Sequence, residues 1–128
     1  MTNKIKSRIQ AAGMRYLRAI MGKTRRDRVR NTTIRNTLKV EPLSESITRA
    51  QLRWFGHVQR LGDQRYPKMA LEARMEGRRP RGRRRTTWSD NIKAALTEPN
   101  YTWGRAVQLA QDRAAWRNFC QPSTPIGR

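Results

Sequence analysis

Nine carboxylates are the first candidates for chemistry in this sequence: Asp27, Glu41, Glu45, Asp63, Glu72, Glu76, Asp90, Glu98 and Asp112. Two-metal phosphoryl transfer needs carboxylates that converge on the ions. Glu72 and Glu76 stand four apart, the spacing that puts two side chains on one helix face, and Glu41 and Glu45 share that spacing only across Pro42, which interrupts a helix. The nine read instead as helix caps and arginine partners. The single histidine, His57, and the single cysteine, Cys120, cannot make a four-ligand zinc site, a disulfide or a Cys–His nucleophile pair. His57 falls on the edge of the apolar face of its helix, where a packed imidazole is expected. No phosphate-binding glycine loop or dinucleotide fingerprint is present. The expectation is a chain with no catalytic residues, no metal and no cofactor.

The arginines point to a different chemistry. "GRRPRGRRRTTW", Gly77 to Trp88, carries Arg78, Arg79, Arg81, Arg83, Arg84 and Arg85, and no acid occurs from Gly77 to Ser89. A solvated charged face normally interleaves acids. A planar guanidinium grips two phosphate oxygens at once, so the run reads as a clamp on a phosphate backbone. Basic runs also serve as nuclear-import signals. The whole chain has 29 Lys+Arg against 9 Asp+Glu, a net charge of +20. Such self-repulsion is relieved by a polyanion. Nucleic acid is the first candidate, because neutralised phosphates release their counterions. An anionic membrane surface ranks second and an acidic protein third. Trp54, Trp88, Trp103 and Trp116 could stack on unpaired bases. In a chain of 128 residues with 36% hydrophobic residues, burial falls mostly to aromatics. Trp54, Trp103 and Trp116 are therefore expected in the core, and Trp88 at the end of the basic loop.

These groups must be carried by helices, because no segment shows sustained strand alternation. Ile5, Ile9, Ala12, Tyr16, Ala19 and Ile20 form a helical stripe flanked by Lys4, Arg8 and Arg15, and Gly22 is a stop, predicting a helix over about 3–21. Thr24 and Asp27 resemble a capping box and predict two short helices, about 25–31 and 33–38, ahead of Pro42. Ser44 is the expected N-cap of the next helix. There Ile47, Ala50, Trp54, Val58 and Leu61 share the apolar face, and Arg49, Arg53 and Arg60 the opposite, phosphate-facing one. Gly56 in its interior costs about 1 kcal/mol relative to alanine, which predicts a close packing partner. Pro67 suits the first turn of a short helix. Helices over about 87–96 and 103–119 follow, the latter capped by Thr102, with a turn at Pro99–Asn100 between them. The expected architecture is all-α, a small bundle of about five or six helices. It comprises an N-terminal portion 1–76, the arginine-rich loop 77–86, a helical pair 87–120 and a disordered tail 121–128. No apolar run approaches the roughly 20 residues of a membrane span, and no secretory leader is recognisable. The basic, acid-free N-terminus is also compatible with a mitochondrial presequence.

Four segments taken in order carry a family resemblance. "MRYLRAIMGKTRRDRVRNTTIRNTLKVEPL", "LRWFGHVQRL", "GRRPRGRRRTTWSDNI" and "TWGRAVQLAQDRAAWRNF" together resemble the C-terminal end of reverse transcriptases of RTE-type non-LTR retrotransposons, over about residues 12–119. In that family the polymerase palm, with its Tyr/Phe-x-Asp-Asp motif, and an apurinic-type endonuclease lie upstream. Neither motif has a counterpart here. The resemblance implies a non-catalytic segment that follows the palm and thumb and holds RNA, DNA or their hybrid. Its partners would be nucleic acid and the upstream polymerase domains, in the nucleus or a cytoplasmic ribonucleoprotein. The alternatives are a scaffold segment of the parent enzyme and a small helix-turn-helix DNA-binding protein on residues 24–39.

Overall fold

The computed structural model describes residues 3–73, 81–82, 86–97 and 100–121. Among them the chain is all-helical, with no strand: α1 (Asn3–Ile20), α2 (Asn31–Leu38), α3 (Leu43–Gln59), α4 (Tyr66–Glu72), α5 (Trp88–Thr97), α6 (Trp103–Gln111) and α7 (Arg113–Phe119). The chain divides into two compact units, one ending at Arg49 and the other spanning Ala50–Gln121. That boundary lies within α3, not at the arginine-rich loop.

In the first unit, α1 packs on α2 around Met14 and Ile34, both buried. Gly22 ends α1 as predicted. It sits in the left-handed region at φ +61°. The Gly22 N–H donates to the Ala19 carbonyl at 3.1 Å and the Lys23 N–H to Arg18 at 2.9 Å, the two bonds of a Schellman stop. α2 ends the same way, but with Lys39 in the left-handed position at φ +53°. Its N–H donates to Asn36 and that of Val40 to Arg35.

The predicted helix over 25–31 does not form. Thr24 and Asp27 do pair: the Asp27 carboxylate accepts from the Thr24 N–H at 2.6 Å and from its hydroxyl at 2.9 Å. These bonds hold the Asp27 carboxyl below its ordinary range, with the Lys23 charge assisting. The chain then turns left-handed at Arg28 (φ +50°), and the expected break near Asn31–Thr33 is the first turn of α2. Residues 24–39 therefore hold one helix, not the pair a helix-turn-helix needs. Ser44 is likewise not a cap. It lies inside α3, which begins at Leu43, and the Pro42 carbonyl accepts from the Glu45 N–H at 3.0 Å.

In the second unit, Leu52, Phe55, Ile92, Leu96, Ala106, Ala110, Trp116 and Cys120 form the buried cluster, with Trp88, Tyr101, Trp103 and Phe119 packed against it. α3 has two apolar arcs: one bears Leu52, Phe55, Gly56 and Gln59, all buried, while on the other Val58 is buried. Trp54 lies on the other arc and is 51% exposed, which corrects its expected core position. Trp103 and Trp116 do pack as expected, with ring centroids 4.9 and 5.6 Å from Phe55. Gly56 has the close partner its cost implied. The Trp116 indole lies against it, and Trp116 Nε1 donates to the Leu52 carbonyl at 2.9 Å.

The single helix expected over 103–119 is two. Asp112 leaves helical geometry, and its carboxylate accepts from the N–H groups of Ala114 and Ala115, capping α7. That break folds Trp116 and Cys120 back into the core. Thr102 caps α6 as predicted, accepting from the Arg105 N–H. The turn near Asn100 is also present: Asn100 takes φ +58°, and the Tyr101 N–H donates to the Leu96 carbonyl at 2.9 Å. Burial in this core raises the Cys120 thiol to about 11, although Arg53 and Arg60 act in the opposite direction.

Candidate nucleic-acid interface

The arginine run is anchored at its C-terminal end. Thr87 and Asp90 form a reciprocal capping box: the Thr87 N–H donates to the Asp90 carboxylate at 2.9 Å, and the Asp90 N–H to the Thr87 hydroxyl at 3.2 Å. α5 starts immediately after, and Trp88 packs on the core with its ring 6.4 Å from Phe55. Trp88 thus stands at the end of the basic loop as expected, and a threonine caps the helix that it opens. Within the run, Arg81 is exposed in a bend beside Gly82 (φ +149°). Arg78, Arg79, Arg83, Arg84 and Arg85 lie outside the described residues.

Arg49, Arg53 and Arg60 differ in what they touch. Arg53 is exposed. Arg49 is ion-paired with Glu41, its side chain only 19% exposed, and Glu41 also accepts from the Ser46 hydroxyl. Arg60 Nη1 donates to the Ala110 carbonyl at 2.6 Å in the last turn of α6. A cation is favourable there, because carbonyls at a helix C-terminus lack intrahelical donors. Gln111 Nε2 returns a bond to the Gln59 carbonyl at 3.4 Å, tying the two helix ends together. Two of these three guanidinium groups thus do structural work. Glu41 eight residues before Arg49 was the sequence signal for the first; nothing local announced the second.

The first unit adds cations that the motif reading left in the background. Arg15, Arg18, Lys23 and Arg25 line one open cleft of about 580 Å³, with Thr24 and Asn31. Arg15, Lys23 and Arg25 are exposed. Arg18 is the fixed member: its Nη2 donates to Asn31 Oδ1 at 2.5 Å and to the Val29 carbonyl at 3.3 Å. Its Nε is buried without a hydrogen-bond partner. Asp27 is the nearby counter-charge through its bonds to Thr24, one acid against four cations. Asn31 opens α2, whose N-terminus has no side-chain cap, so its amide dipoles add positive potential.

Among the described residues, no group of three His, Cys, Asp or Glu is placed to hold a metal ion, and no helix is long and apolar enough to cross a membrane. No protein-family model, curated protein sequence or solved structure matches the chain.

Proposed function

We propose that this chain is a non-catalytic nucleic-acid-binding module that grips the phosphate backbone of RNA or DNA with little base specificity. It resembles the C-terminal region of an RTE-type retrotransposon reverse transcriptase in its ordered motifs, and would act beside polymerase domains supplied upstream, in the nucleus or a cytoplasmic ribonucleoprotein. The observation that carries the reading is the acid-free run from Gly77 to Ser89 in a chain of net charge +20. The four-cation cleft of the first unit supports it as a second contact. A salt titration of binding to labelled RNA and DNA tests it. Log affinity should fall linearly with log salt, by about 0.9 per phosphate neutralised on duplex DNA. Changing Arg78, Arg79, Arg81, Arg83, Arg84 and Arg85 to serine should flatten that slope by several units at unchanged helicity. A salt-independent affinity, or a serine variant that binds like the parent, refutes the clamp.

A second reading, a scaffold segment of a larger polymerase, has its own observation. Tyr16, Ile20, Val40 and Leu43 are exposed and line an open apolar groove of about 420 Å³ in the first unit. Circular dichroism with and without RNA separates the two. Helix gained on adding RNA supports coupled folding and binding; a spectrum and stability indifferent to RNA support the scaffold.

A further inference from the structure

The four-cation cleft lies wholly within the first unit and shares no residue with the arginine run. Arg15 and Arg18 reach it from the last two turns of α1, and Lys23, Thr24 and Arg25 from the segment between the helices. Asn31, the first residue of α2, completes the lining. Like charges gathered in one cleft repel. Asp27 offsets part of this, through its bonds to Thr24 and its charge beside Lys23. One carboxylate against four cations leaves a clear positive excess. Arg18 is fixed, yet its charge is not met. Its Nη2 donates to Asn31 Oδ1 and the Val29 carbonyl, both neutral acceptors. Its Nε is buried without a hydrogen-bond partner, the kind of donor that calls for an acceptor from outside the chain. A guanidinium already held in place loses little side-chain entropy when it binds. Arg15, Lys23 and Arg25 are exposed and can turn toward what Arg18 holds. The ligand that matches is a dense oxyanion. Phosphate oxygens suit planar guanidinium groups, and a free phosphate or a nucleic-acid backbone can present them.

We infer that this cleft is a phosphate site gripped by Arg15, Arg18, Lys23 and Arg25, and that filling it ties α1 to α2 and stabilises the first unit. The inference deepens the nucleic-acid reading above by naming a phosphate contact that does not depend on the arginine run. Such a site has a signature that an inert basic surface lacks. Removing its exposed cations relieves repulsion in the free protein, yet abolishes the stabilisation that phosphate brings.

The test is the thermal midpoint of the full chain, by far-ultraviolet circular dichroism, in pyrophosphate and in sodium chloride of matched ionic strength. Pyrophosphate should raise the parent midpoint by about 5 °C once it exceeds its Kd roughly tenfold. The double variant Arg15→Gln with Arg25→Gln should fold, since both side chains are exposed. Without anion its midpoint should equal or exceed the parent's, and most of the pyrophosphate shift should be gone. Arg113→Gln with Arg117→Gln removes the same charge from exposed positions of α7 in the second unit, and should keep the shift. Anisotropy of a labelled DNA duplex across a salt series identifies the source of the phosphate. If a nucleic-acid backbone fills the cleft, the Arg15/Arg25 variant binds roughly tenfold more weakly and its salt slope flattens by about 1, beyond the change in the α7 variant. A lost pyrophosphate shift with unchanged duplex affinity assigns the site to free phosphate. A shift no larger than that in chloride, one lost equally in both variants or kept in the Arg15/Arg25 variant, or one matched by polyglutamate would each overturn the inference. If the inference is overturned in this way while the parent still binds the duplex, the arginine clamp stands without the cleft. A parent that binds no duplex but keeps the pyrophosphate shift removes the nucleic-acid reading and leaves the site.

Discussion

Replacing Gly56 by alanine would put a methyl group where the Trp116 indole already lies. A Cβ at position 56 would stand 2.1 Å from Trp116 Nε1, 2.2 Å from Cδ1 and 2.9 Å from Cε2. Real Cβ contacts are essentially never that close, so the indole has to shift by more than 1 Å. It has little room: Trp116 is 2% exposed, with the rings of Phe55 and Phe119 at 5.6 and 5.0 Å. Moving it also breaks the 2.9 Å bond from Nε1 to the Leu52 carbonyl. Overpacking a tight core costs about 1–3 kcal/mol, and a buried donor left without its acceptor about 1–3 kcal/mol. The better helix propensity of alanine returns about 1 kcal/mol. The net expectation is a loss of about 3 kcal/mol, a large share of the stability of a small domain. Urea unfolding followed by tryptophan fluorescence measures it cleanly, because all four tryptophans lie in the second unit. In a Trp116→Leu background the cost of Gly56→Ala should shrink to near zero or change sign, since the clash is gone. A Gly56→Ala protein as stable as its parent, or a cost that persists in the Trp116→Leu background, would refute the close-approach argument.

Lys39 ends α2 at φ +53°, a conformation that costs a residue with a Cβ about 1–2 kcal/mol and glycine almost nothing. Lys39→Gly should therefore stabilise the first unit by about 1 kcal/mol net of glycine's entropy, read as a raised thermal midpoint by far-ultraviolet circular dichroism; a lowered midpoint would count against that backbone geometry. The Cys120 thiol, raised from 9.0 to about 11 by burial, makes stability depend on alkaline pH. Below pH 9 the thiol is protonated in both states and its contribution is complete; between about 9 and 11 the unfolded chain ionises first, and roughly 2–3 kcal/mol is lost. Comparing urea midpoints of the parent and Cys120→Ala across that window isolates this component, and parallel curves would exclude it.

The local stops and starts could be read from residue type alone. Gly22 ends α1, Thr102 caps α6 and Thr87 with Asp90 caps α5 through hydrogen bonds to backbone groups no more than five residues away, and Pro67 suits the first turn of α4 because an N–H there would have no helical partner. Gly56 also announced itself, since a glycine inside a helix needs a reason. The cationic character of the candidate interface was visible for the same reason: charge is additive and needs no geometry.

What periodicity left open was which contacts the helices make. α3 carries apolar residues on two arcs whose centres stand roughly 150° apart around the helix, and either could have faced a core. Burial of Leu52 and Phe55, and the exposure of Trp54, depend on α5, α6 and α7 arriving on one side. The Asp112 break could not be weighed against a continuous helix until Trp116 was seen to need that fold-back. Arg49 and Arg60 looked alike on a helical wheel, yet one meets Glu41 and the other a carbonyl fifty residues away in the chain. Local spacing specifies hydrogen bonds that close within a turn. It does not specify partners brought together by tertiary packing, and those partners separate the structural arginines from Arg53 and leave Trp54 exposed.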